Sequence, residues 1–78
     1  MILQEANLDK NELDKLQTYM RRALQSPNLE VRARPRKTDS AEVYVADEFV
    51  GVLFKDDEDD DLSYNFSMAI LDYDLEET

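Results

Sequence analysis

The spacing of apolar residues along the chain changes once, from a helical period to a strand period. Leu13, Leu16, Met20, Ala23 and Leu24 recur three and four positions apart and trace one stripe on a helix. Asp9, with Glu12 three positions later, supplies the two halves of a capping box, and Leu8 and Leu13 occupy the positions of a hydrophobic staple. Arg21 and Arg22 fall in the last turns, where positive charge complements the helix dipole. Pro27 cannot continue the helix and biases Ser26 away from helical geometry. A helix is expected over residues 10–25.

Beyond Pro27 the period is two. Leu29, Val31 and Ala33 alternate with Glu30, Arg32 and Arg34 until Pro35, and Ala41, Val43 and Val45 alternate with Glu42, Tyr44 and Ala46. The next run, FVGVLFK, is apolar on both faces. The cleanest alternation is LSYNFSMAIL: Leu62, Tyr64, Phe66, Met68 and Ile70 share one face, opposite Ser63, Asn65 and Ser67, until Ala69 and Leu71 break the pattern. Such a pattern predicts a half-buried strand. Strands are expected over 29–34, 41–46, 49–55 and 62–71, with short connections that favour antiparallel hairpins. The fold class is α+β: one N-terminal helix packed on a four-stranded antiparallel β-meander, in two layers, as a single domain over 1–78.

A register can be written that keeps one face apolar throughout. It pairs Val31 with Val45 and Ala33 with Val43, which sets Arg34 beside Glu42. It then pairs Val45 with Val50, Val43 with Val52 and Ala41 with Phe54, and sets Tyr44 across from Gly51. Phe54 with Leu62, Val52 with Tyr64 and Val50 with Phe66 complete it. A one-residue slip would turn each set outward. Asp47-Glu48 is not a favoured two-residue turn, so a longer or bulged loop is an alternative there.

Composition narrows the chemistry. With 78 residues the chain is one domain at most, burying about 60–65% of its unfolded surface, so its core is marginal. Lacking cysteine and histidine, it has no disulfide, no thiolate zinc site, and no base or nucleophile poised near neutral pH. Only hard cations such as calcium or magnesium suit its oxygen donors. Oligomerisation is a common support for so small a core. The net charge of −10 is uneven: residues 1–46 carry eight basic and seven acidic groups, residues 47–78 one lysine and twelve acids. That field repels polyanions. No signal peptide and no run long enough to span a bilayer is read, and the absence of cysteine fits a cytoplasmic protein.

The segment VRARPRKTDSAEVYVADEFVGVLFKDDEDDDLSYNFSMAILDYDL, preceded by LQTYMRRAL, resembles small bacterial proteins of the domain of unknown function family 3126. AEVYVADEFVGVL and LSYNFSMAIL are the pieces most similar to that family, and the resemblance covers residues 10–75. It implies these fold boundaries and a bacterial cytoplasmic origin, and no activity or functional residues.

The charged features read as surface. The acidic run 56–61 fails as an EF-hand, because its sixth and twelfth positions hold Asp61 and Ser67 instead of glycine and glutamate. It reads as a solvated hairpin tip, ahead of a docking site for a basic partner or a cation. Arg32, Arg34, Arg36 and Lys37 form the alternative anion-binding segment, for nucleic acid or phosphate; cross-strand charge pairing is the plainer account of them. No catalytic, cofactor or metal residues are assigned, and an enzyme is not expected. The stronger signal is a patch on the sheet face away from the helix, formed by Tyr44, Phe49, Leu53, Ala69 and Leu71. The last strand is also expected to be an open edge. The expected function is a small acidic protein-interaction domain, self-associating through the outer sheet face or edge strand. Its partner is a second copy or another protein, with nucleic acid disfavoured and no membrane. The alternative occupant of the outer face is MILQEA or DYDLEET folded back on it.

Overall fold

A computed structural model of the protein describes residues 7–57 and 61–76. Helix α1 spans Lys10–Ala23, followed by strands β1 (Leu29–Ala33), β2 (Ser40–Val45), β3 (Glu48–Asp56) and β4 (Ser63–Ser67), and a single helical turn, α2 (Asp72–Leu75). The strands form one antiparallel sheet in the order β1-β2-β3-β4. The expected α+β meander is therefore present. Residues 1–6 and the centre of the acidic run, 58–60, lie outside the described residues, and with them half of the cation or basic-partner candidate 56–61 and the whole MILQEA segment.

The helix begins as its sequence dictates. The Asp9 carboxylate accepts from the Glu12 N–H at 2.8 Å, and the Glu12 carboxylate accepts from the Asp9 N–H at 3.1 Å. Two backbone donors at the helix start are thereby satisfied reciprocally. The helix closes two residues earlier than expected, through a Schellman motif. The Ser26 N–H donates to Arg21 O and the Gln25 N–H to Arg22 O, with Gln25 at φ 51°. Pro27 follows the end without causing it.

The register departs from expectation in all three hairpins. β1 pairs with β2 two residues out, as Leu29–Val45, Val31–Val43 and Ala33–Ala41, which preserves the apolar face but sets Arg32, not Arg34, opposite Glu42. Between β2 and β3 the change is of parity. The turn falls at Ala46-Asp47, one residue before the expected Asp47-Glu48, with φ of 52° and 67° at the two positions. These are the left-handed values a tight hairpin turn requires. Val45 pairs with Glu48 and Tyr44 with Phe49, but beyond a bulge at Val50 the register shifts, and Val43 pairs with Gly51 and Ala41 with Leu53. A bulge of one residue reverses the face of everything that follows. Leu53 therefore points inward, only 3% exposed, while Phe54 points outward. Between β3 and β4, Leu53 pairs with Phe66 and Lys55 with Tyr64, in place of Phe54–Leu62, Val52–Tyr64 and Val50–Phe66, because the bulge at Val50 puts Leu53 on the core face.

The core consists of Met20, Leu29, Val31, Ala41, Val43 and Leu53, flanked by Leu8, Leu13, Leu16, Val45, Val50 and Tyr64. It lies beneath α1 and is centred on β1 and β2, because α1 packs mainly on β1. β4 is the exception. Of its five residues only Tyr64 is even half-buried, and pairing ends at Ser67 opposite Val52, short of the bulge. The expectation of a half-buried strand reaching Leu71 is thus corrected: the alternation is in the sequence, but one copy of the chain does not cover it.

Candidate interaction surface

The helix reaches β4 at one end only. Glu12 uses one oxygen in the capping box and the other to accept from the Tyr64 hydroxyl at 2.7 Å and to pair with the Lys55 ammonium at 2.7 Å. Burial alone would push the Glu12 carboxyl up. Hydrogen bonds from Lys55, Tyr64 and the Asp9 N–H, with the Lys55 charge, outweigh it and hold the group below its ordinary 4.5. Tyr64 is pushed up to about 12 by burial, with the bond to Glu12 and the negative charges of Glu12 and Asp9 adding to it. Lys55 also donates to the Asn7 carbonyl at 2.8 Å. One carboxylate thus ties the helix start, β3 and β4 together.

Past this tie, α1 and β4 separate and enclose an apolar groove of about 690 Å³. Leu16, Tyr19 and Leu24 line it from the helix, and Leu53, Leu62 and Phe66 from the sheet. The distal part of the helical stripe overhangs this space and does not bury itself: Leu24 is 56% exposed and Tyr19 58%. The floor depends on the chain's single glycine. A Cβ on Gly51 would stand 2.5 Å from the Ser67 carbonyl oxygen and 2.6 Å from a Phe66 ring carbon. The Phe66 ring lies over Gly51 from β4, so this ring, and not the expected Tyr44, covers the strand glycine.

The residues expected to form one outer patch are divided. Tyr44 and Phe49 do meet, edge to face, with centroids 5.7 Å apart. The Arg32 guanidinium covers Tyr44 at 3.9 Å from its ring centre. The hydrogen bond Tyr44 donates to Glu42 pushes its hydroxyl above the ordinary value, with burial adding. Leu53 is on the opposite face, in the core. Ala69 and Leu71 lie beyond the end of β4, exposed on the C-terminal segment. In the basic segment Arg32 pairs with Glu30 at 2.8 Å and Asp47 at 3.0 Å, and Arg34 donates to the Ser40 hydroxyl at 3.0 Å. Arg36 and Lys37 are exposed in the following connection. Sequence reasoning assigned Leu24, Leu62 and Phe66 to the apolar face between helix and sheet and not to an interaction surface, and it passed over Tyr19. The signal for them was the alternation on β4 read together with the far end of the helical stripe.

These features define a small two-layer α+β domain whose helix covers half of its sheet. A family model described as "Protein of unknown function (DUF3126)" matches residues 12–74, and the chain belongs to that family. No curated protein and no solved structure matches it.

Proposed function

We propose that the protein is a non-enzymatic interaction domain that self-associates through the β4 side of its sheet. One observation carries this reading. The stretch from Leu62 through β4 alternates apolar and polar residues as a strand covered on one face does, yet Leu62, just before the strand, and Phe66 within it remain 51% and 38% exposed in a single copy. A marginal core of this size commonly gains its missing burial from another chain. On the outer face Phe49 and Phe54 are 51% and 43% exposed, but Tyr44 there lies under Arg32 and Leu53 is in the core. Binding of nucleic acid through residues 32–37 is disfavoured by the commitment of Arg32 and Arg34 within the fold, and by the net charge. Without histidine or cysteine the chain lacks the usual groups for catalysis near neutral pH, and the same lack of cysteine suits a reducing cytoplasm.

Light scattering coupled to size exclusion tests the proposal. The full chain should elute with twice its 9.1 kDa mass, and Phe66→Glu should return it to the single-chain mass. A single-chain mass for the unaltered protein at its highest attainable concentration would refute self-association.

A further inference from the structure

We infer that the groove between α1 and β4 is filled by the C-terminal segment 68–74 of a second copy, exchanged reciprocally across a two-fold axis. This deepens the self-association reading and rests on it. The segment presents Met68, Ile70, Leu71 and Tyr73 at 52%, 62%, 60% and 67% exposure. Single exposed apolar side chains are ordinary, but four within six residues are not. α1 and the strands pack on one another, whereas α2 has no comparable packing on the body among the described residues.

The segment continues directly from the floor of the groove, since Met68 is two residues past Phe66. None of residues 68–74 lines the groove of its own copy. Residues 68–71 contain no glycine, proline or asparagine to reverse the chain, and Leu71 is extended, at φ −84° and ψ 151°. An apolar segment carried away from its own groove meets the equivalent groove of a two-fold mate, and such an exchange closes on itself.

Charge sets the same match. The segment and the residues just after it carry Asp72, Asp74 and Glu76 with no basic residue. The helical wall of the groove carries Lys15, with Arg22 stacked over Tyr19 at 5.4 Å. Glu12, at the far end, is already paired with Lys55. Size agrees too. Eight apolar side chains across the pair, at roughly 60–100 Å² each, with comparable area on the walls they cover, give on the order of 1,000 Å² or more. That is the scale of a specific interface.

The test uses the full chain. Because the protein has no cysteine, Ala69→Cys gives one attachment point for a nitroxide label. Labelled chains without isotope are mixed with unlabelled, ¹⁵N-enriched chains, and the mass of the mixture is measured by light scattering. The expected result is a dimer in which the amide signals of Leu16, Leu24 and Leu62 lose most of their intensity. Leu24→Glu and Ile70→Glu, at two exposed positions, should each give a folded monomer. A dimer without that signal loss would overturn the exchange and leave self-association standing. Loss seen only when label and isotope share a chain would mean the segment folds back on its own copy, which also overturns it. A monomer in every sample would overturn both.

Discussion

The two edge strands of this sheet are built to opposite specifications. At β1 the free edge is sealed by the chain's own helix: the Gln17 side-chain carbonyl accepts from the Val31 N–H at 3.0 Å, and the Arg21 Nε–H donates to the Leu29 carbonyl at 2.7 Å. The side chains there are buried, Leu29 to 1% and Val31 to 8%. At β4 the described residues supply no such cover for the strand's edge, and its apolar side chains face an open groove. An open edge invites pairing with another chain, and proteins that must stay single blunt it. Here one edge is blunted and, among the described residues, the other is left open.

The largest test of this contrast compares equal deletions at the two edges. Leu29→Ala should destabilise the dilute chain by about 3 kcal/mol in urea unfolding, whereas Leu62→Ala should cost under about 1 kcal/mol. Equal losses would mean that β4 is no less integral than β1. Gly51→Ala comes next, at about 2–3 kcal/mol, because the added methyl meets backbone at Ser67 as well as the Phe66 ring. Its damage should appear as lost amide protection in β4 while β1 is spared.

Gln17→Leu addresses the seal itself. Leaving the Val31 N–H without its partner should cost about 1–2 kcal/mol and render a second edge prone to association, seen as masses above a dimer. The last effect concerns the tie between α1 and β4. Tyr64→Phe removes a hydrogen bond to a carboxylate and should cost about 1–1.5 kcal/mol. It should also change the pH profile. Folding raises the Tyr64 value from 10.0 to about 12, so its contribution is intact below pH 10 and is lost as the phenol ionises towards pH 12. Glu12 runs the other way: its value is lowered from 4.5, so its contribution is present above pH 4.5 and is lost on acidification below it. Urea titrations across pH should show the alkaline decline weakened in Tyr64→Phe and the acidic one retained.

How much of this was legible in the sequence depended on the range of the interactions involved. The start of α1 was fully legible, because Asp9, Glu12, Leu8 and Leu13 make a local device. Its end was less so, since nothing about Gln25 announces a left-handed residue where glycine is favoured. The order and antiparallel sense of the strands followed from short connections. The face of β3 did not, because FVGVLFK is apolar at both parities and gives alternation nothing to discriminate; the bulge at Val50 then decided it. This is why Leu53 was expected on the outer patch and lies in the core. Glu12 was legible as a cap but not as the partner of Lys55 and Tyr64, which are distant in sequence and meet it only in the folded chain. β4 is the instructive case. Its alternation reads as that of a half-buried strand over 62–71, whereas β4 ends at Ser67 and only Tyr64 in it is half-buried. A mismatch between a consistent local pattern and its environment is where function is expected.

Amide hydrogen exchange on the full chain, followed at high and at low protein concentration, tests the central claim most directly. If β4 is the self-association edge, protection of residues 63–67 should rise with concentration, while that of 29–33, sealed within one copy, stays constant. Protection of β4 that is independent of concentration, or a change confined to β1, would contradict the account.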